Sequence, residues 1–170
     1  MSSFVSVGNG HQPFSRLLDA VDALADMLPQ PVVVQHGHTP FSSPRCIATA
    51  FMPMEDFVAQ MASASLVIIH GGVGSILSAL QAGKVPIVAP RVAAMDEIID
   101  DHQLGLVRAL AAAGRVIMLD EVSRLSDVVA DLRAMEVGDV DARQHPAVLV
   151  AMVRQALTIQ SRRAGGTALR

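Results

Sequence analysis

The chain has 170 residues, of which 51% are hydrophobic and 3% aromatic, with neither Trp nor Tyr, and its net charge is −3. Such a length and apolar content suit one well-buried core and disfavour disorder. The scarcity of stacking rings and the slight negative charge exclude a nucleic-acid binder and disfavour a sugar module built on aromatic platforms.

Residues 4–7 predict a first strand that meets a tight loop at Gly8-Asn9-Gly10. Residues 14–28 place Leu17, Leu18, Val21, Leu24, Ala25 and Leu28 at helical spacing and stop before Pro29. A short strand over 31–35 follows, and then a loop over 36–44 whose Gly and Pro residues read as a flexible insertion. A weaker strand over 46–51 precedes a helix over 54–64. Glu55 and Asp56 open that helix, where their charges suit the positive end of the dipole.

The clearest unit comes next. Residues 65–69 are an apolar run, Leu-Val-Ile-Ile after Ser65, the pattern of a parallel strand covered on both faces. It enters the loop His70-Gly71-Gly72-Val73-Gly74-Ser75, then a helix over 75–82, a stop at Gly83 and a strand over 86–89. A helix over 97–113 ending at Gly114, a strand over 116–119 and a helix over 123–135 continue the alternation. A last helix over 145–160 carries Leu149, Met152, Val153, Ala156 and Leu157 on one side. That face suits either core packing or docking of a partner. Repeated βα units predict an α/β fold, a single Rossmann-like doubly wound parallel sheet over residues 1–160, with a frayed tail over 161–170. Ligands of such sheets bind at the carboxyl ends of the strands.

Cys46, the single cysteine, lies in an apolar run and reads as a buried inert thiol in a reducing compartment. The N-terminus lacks a basic stretch followed by a long apolar one, and apolar runs break well short of a span of about 20 residues. The expectation is a cytoplasmic protein, reaching the inner face of the cell membrane only through a partner.

Three clusters fall after predicted strands. In the first, the glycines of residues 70–75 allow close approach of a ligand, and free N–H groups at a helix start favour an anion, with Ser75 as cap and hydroxyl donor. A plain strand-to-helix turn explains the same residue types. No Gly-Lys-Ser/Thr follows, so this is not a P-loop, and its position after a later strand disfavours NAD. In the second, Asp101 and Gln103 offer partners for sugar hydroxyls, and Arg91 offers a fork for phosphate or carboxylate. A solvated acidic helix start is the plainer alternative, and a metal held by His102 with Asp100 and Asp101 fails on direction and ligand number. The third is Gly8-Asn9-Gly10-His11, where His11 is a candidate base or phosphate donor. His36, His38 and His145 have equal standing by composition. No Gly-x-Ser-x-Gly elbow supports a hydrolase.

Taken in order, Val7-Gly8…Gln12-Pro13-Phe14, His70-Gly71-Gly72-Val73-Gly74-Ser75-Ile76-Leu77 and Gly83-Lys84-Val85-Pro86-Ile87-Val88-Ala89-Pro90-Arg91…Asp101-His102-Gln103 resemble glycosyltransferase family 28 over residues 4–125. The nearest resemblance is to short stand-alone proteins equivalent to its C-terminal domain, as in two-component transferases of the bacterial exopolysaccharide type. The resemblance implies the C-terminal Rossmann-like domain of a GT-B enzyme that takes a UDP-sugar as substrate, with no metal or cofactor. It implies that Gly71, Gly72, Val73, Gly74 and Ser75, beside His70, face the diphosphate. Asp101, His102 and Gln103 would hold the sugar, while Phe51 and Met52 would sit at the uracil. Many members carry a Glu for the ribose where this chain has Ser78, a shorter contact that tilts the reading toward the exopolysaccharide branch.

GT-B enzymes hold donor and acceptor between two domains, and this chain has the length of one. The expectation is a donor-binding subunit of an inverting transferase that moves a hexose onto a lipid-linked or polysaccharide acceptor. A separate membrane-anchored subunit would bind the acceptor, and a homo-oligomer is left open. The rivals are a non-catalytic partner of a transferase, which Ser78 keeps open, and a UDP-sugar epimerase, which needs both domains in one chain.

Overall fold

The computed structural model describes residues 1–99 and 102–138. Six parallel strands form one sheet in the order β3-β2-β1-β4-β5-β6. The apolar runs supply them: β1 (Ser3–Ser6), β2 (Val32–Gln35), β3 (Ile47–Thr49), β4 (Leu66–His70), β5 (Ile87–Ala89) and β6 (Ile117–Met118). Between and after them lie α1 (Ser15–Leu24), α2 (Met54–Ser63), α3 (Val73–Gln81), α4 (His102–Ala112) and α5 (Leu125–Gly138). The chain order reverses between β1 and β4, which makes that pair the switch point where such sheets open a crevice. This is the predicted α/β class.

Alternation along the central strands builds two cores. Val5, Ile68 and Ile87 point to one face, against Leu17, Leu18 and Val21 of α1 and Leu125, Val128 and Val129 of α5. Phe4, Val67, Ile69 and Val88 point to the other, against Met61 of α2, Ile76 and Ala79 of α3 and Val107 of α4. Each large side chain buried this way contributes roughly 1.5–3 kcal/mol. Burial on both faces is why β4 reads as an unbroken apolar run rather than an alternating one.

Three expectations are corrected. The helix placed over 97–113 begins only at His102. Before it stand a 3-10 turn over Ala93–Met95 and a left-handed Asp96 at φ 55°. Glu97 is pulled out of any helix because its carboxylate is buried against Arg16. The helix expected over 123–135 is present as α5, entered through a 3-10 turn (Val122–Arg124). The helix after the glycine loop starts at Val73 with Gly72 as its N-cap, so Ser75 sits in its first turn and caps nothing.

The loop over 36–44 is anchored rather than a flexible insertion. Thr39 Oγ1 accepts from Phe14 N–H at 2.9 Å, Ser43 donates to Asp22, and Gly37 N–H donates to Ala50 O at 2.8 Å. Asp22, held below the usual carboxylate range by Ser43 and then by Arg45, ties α1 to this loop. Cys46 is half-buried against the first core and burial pushes its thiol up, as an inert thiol requires. The helix expected over 145–160 and the tail over 161–170 lie outside the described residues, and among the described ones no helix is long and apolar enough to cross a membrane.

Candidate functional site

Register brings the strand ends level: Ser6 lies beside Gln35 on one side and Ile69 on the other, and His70 beside Ala89. The loops leaving β1, β2, β3 and β4 therefore converge above the switch point. Between them lies a cleft of about 390 Å³. It is lined by Gly8 and Asn9 after β1, by His70, Gly72, Gly74 and Ser75 from the end of β4 into α3, by Phe51, Met52, Met54 and Phe57 after β3, and by Gln35 and Ser78.

His70 is the post around which the glycines are arranged. A Cβ on Gly8 or on Gly72 would collide with its imidazole, and Gly8 also sits at φ +75°. Both loops reach the cleft only because neither residue has a side chain. Burial, and then the nearby Arg91 charge, lower the His70 pKa to about 4, against the backbone of Ser6, so the ring is neutral at physiological pH. Its buried Nδ1 has no hydrogen-bond partner.

Gln103, on the first turn of α4, packs behind the same loop: a Cβ on Gly71 would stand 3.2 Å from Gln103 Oε1. That oxygen too is buried without a partner. Unpaired buried polar atoms are uncommon in folded proteins.

The start of α3 faces the cleft through Gly72, Gly74 and Ser75. The first intrahelical bond is Ile76 N–H to Gly72 O at 3.1 Å, and no side chain caps the helix. The N–H groups of Val73, Gly74 and Ser75 thus lack intrahelical acceptors. Among the described residues that line the cleft there is no carboxylate to repel an anion. Open N–H groups and the helix dipole favour negative charge there.

The remaining predicted residues distribute unevenly. Gly71 is buried behind the loop and Val73 is 51% exposed. Ser78 lines the cleft, but its hydroxyl donates back to Gly74 O at 3.0 Å. Phe51 and Met52 line it, with Phe51 O taken by Thr49 Oγ1 at 3.0 Å. His11 does not line it; its ring stacks on His38 at 4.5 Å, and His38 meets Phe51 edge-on at 5.0 Å. His102 opens α4, and Asp101 lies outside the described residues.

Arg91 is corrected outright. Rather than an open fork for a ligand, Arg91 is 4% exposed, and its guanidinium donates to the carbonyls of Val7, Gln12 and Glu97. Gln35, Met54 and Phe57 line the cleft without having been expected to. Gln35 carried one usable signal, a polar residue ending an apolar strand on the ligand-binding edge.

Comparison with known proteins gives the family and the fold. The profile of the glycosyltransferase family 28 C-terminal domain matches residues 4–147. The chain belongs to that family. The UDP-N-acetylglucosamine transferase subunit ALG13 of Yarrowia lipolytica is 37% identical over 62 residues, which is 36% of this chain and 30% of that one. The glycotransferase of kitacinnamycin shares the fold at TM-score 0.63 and 20% identity, over 90% of this chain and 39% of that one. The glycosyltransferase SsfS6 of Streptomyces sp. SF2575, solved with thymidine diphosphate, does so at TM-score 0.53 and 20% identity, over 90% of this chain and 37% of that one. The chain therefore spans well under half the length of these solved glycosyltransferases and of the ALG13 relative.

Proposed function

We propose that this family member binds a UDP-sugar and acts as the donor-binding subunit of an inverting glycosyltransferase. The observation that carries the reading is the uncapped start of α3, open to a cleft lined by no carboxylate among the described residues. In the reaction an acceptor hydroxyl attacks the anomeric carbon, the bond from that carbon to the β-phosphate oxygen breaks, and UDP leaves with the electron pair. The N–H groups of Val73, Gly74 and Ser75 stabilise the charge that develops on the departing diphosphate, with no metal required for that role. In this reading, which here follows the family resemblance, Gln103, just behind Gly71, holds the sugar with Asp101 and His102. Phe51 and Met52 supply the apolar wall for the base.

The acceptor, lipid-linked or polysaccharide, would be bound by a separate membrane-anchored subunit, keeping this chain in the cytoplasm at the inner face of the membrane. The acceptor's proton passes to a base that we place on that partner, since His11 packs against His38 and does not line the cleft. The relative's own designation as a transferase subunit supports the two-component reading.

Calorimetry with UDP tests the donor site. A Cβ on Gly74 meets nothing within 4 Å, so Gly74→Asp adds a carboxylate at the open helix start without a clash. Wild type is expected to bind, and Gly74→Asp to lose roughly a hundredfold or more in affinity while folding normally. Failure of the wild type to bind UDP, or equal binding by both proteins, would sink the reading.

The alternative of a non-catalytic partner draws on Ser78, whose hydroxyl is already bonded to Gly74 O. Transfer by a reconstituted pair that survives loss of both Ser75 and Gln103 would favour it.

A further inference from the structure

Ser6, Gln35 and Asn9 form a short polar chain beside the cleft. Ser6 ends β1 and Gln35 ends β2, and the parallel register sets them side by side. Ser6 is fully buried and Gln35 is 4% exposed, whereas Asn9 is exposed at the cleft wall. Gly8 N–H donates to Ser6 Oγ at 3.2 Å, Ser6 Oγ lies 2.5 Å from Gln35 Oε1, and Gln35 Nε2 lies 3.0 Å from Asn9 Oδ1.

The direction of this chain follows from its first member. A backbone N–H only donates, so Ser6 Oγ accepts from Gly8. The Ser6 hydroxyl hydrogen, buried, must then be given to an acceptor, and Gln35 Oε1 takes it. The Gln35 carboxamide is thereby oriented with its NH2 toward Asn9, whose oxygen accepts. Asn9 is left with its own NH2 as the free end of the side chain. One backbone amide thus sets the polarity of two carboxamides that would otherwise be free to turn over.

We propose that Gln35 is a positioning residue that locks Asn9 with its NH2 toward the cleft, adding a side-chain donor for a phosphate oxygen to the backbone donors of α3. The inference rests on the reading that the cleft takes a UDP-sugar. Gln35→Glu would reverse the polarity. A carboxylate only accepts, so it takes the Ser6 hydroxyl and the Asn9 NH2, and Asn9 turns its oxygen to the cleft.

The test is calorimetry of the full chain with UDP and with uridine, in a cycle of wild type, Gln35→Glu, Asn9→Ala and the double variant. Gln35→Glu is expected to weaken UDP about tenfold or more and uridine less than about twofold, with the UDP effect nearly gone in the Asn9→Ala background. An equal loss in both backgrounds would show direct repulsion by the new charge and overturn the inference. So would a parallel loss of UDP and uridine, which marks a general structural role, or no loss at all. If Gln35→Glu melts early, Gln35→Leu replaces it. It frees Asn9 without adding charge, and its severalfold loss for UDP must likewise vanish in the Asn9→Ala background or the inference fails. A wild type that binds no UDP removes the underlying reading and this inference with it, whereas a wild type that binds while the cycle shows no coupling removes this inference alone.

Discussion

The loops after β4 and β5 leave neighbouring strands at the same edge of the sheet, yet they treat their polar groups in opposite ways. After β4 the helix start has open N–H groups, and the buried Nδ1 of His70 has no partner. After β5 the charged groups are matched to one another. Glu97 takes Arg16 Nε at 2.6 Å and Arg16 Nη2 at 2.9 Å, and accepts Val92 N–H at 3.0 Å. Arg91 and Arg16 both lie 4.9 Å from the Phe14 ring centroid. The charged loop is a clamp that joins the β5 connection to the β1 connection; the neutral loop is the one with bonding capacity left for a ligand. In this molecule unsatisfied polarity, rather than formal charge, marks the site.

Breaking the clamp should give the largest effect on stability. Glu97→Ala leaves the partly exposed Arg16 and the Val92 N–H without their carboxylate and should cost about 3 kcal/mol, read by urea unfolding. If UDP affinity falls in proportion to that loss, the two loops are not separate devices. Gly74→Asp should do the reverse and leave the unfolding midpoint near that of wild type while binding is lost.

His70 sharpens the comparison through pH. Its folded pKa of about 4 lies below the ordinary 6.5, so the unfolded state takes up the proton first as pH falls. The stability from keeping the ring neutral is complete above about 6.5 and is lost as pH drops toward about 4, by roughly 3 kcal/mol across that window. His70→Gln should flatten that part of the curve, and an unchanged slope would contradict the depressed value. The smallest effect belongs to Ser78→Ala, expected to alter UDP affinity by less than about twofold because the hydroxyl already bonds Gly74 O. A tenfold loss would restore Ser78 as a working ribose contact.

Much of this was readable along the chain because it depends on local pattern. The apolar run over 65–69 and the loop at 70–75 announce β4 and its turn, and Gly83 and Gly114, at φ 70°, stop α3 and α4 where expected. The failures share one cause. Glu97 looked like a helix residue and Arg91 like a ligand fork, since a residue's own type does not reveal that a distant partner such as Arg16 or the Val7 carbonyl will claim it.

Gln35 escaped notice for the same reason, because its importance lies in standing beside Ser6 across two strands. Strand period, helix period and glycine stops are set by neighbours a few residues apart, and so the sequence by itself determined the α/β class and the loops that carry the site. The tertiary structure decided which polar groups in those loops remain free. Hydrogen bonds between loops many residues apart satisfy Arg91 and Glu97, while burial leaves His70 neutral with its Nδ1 unpartnered.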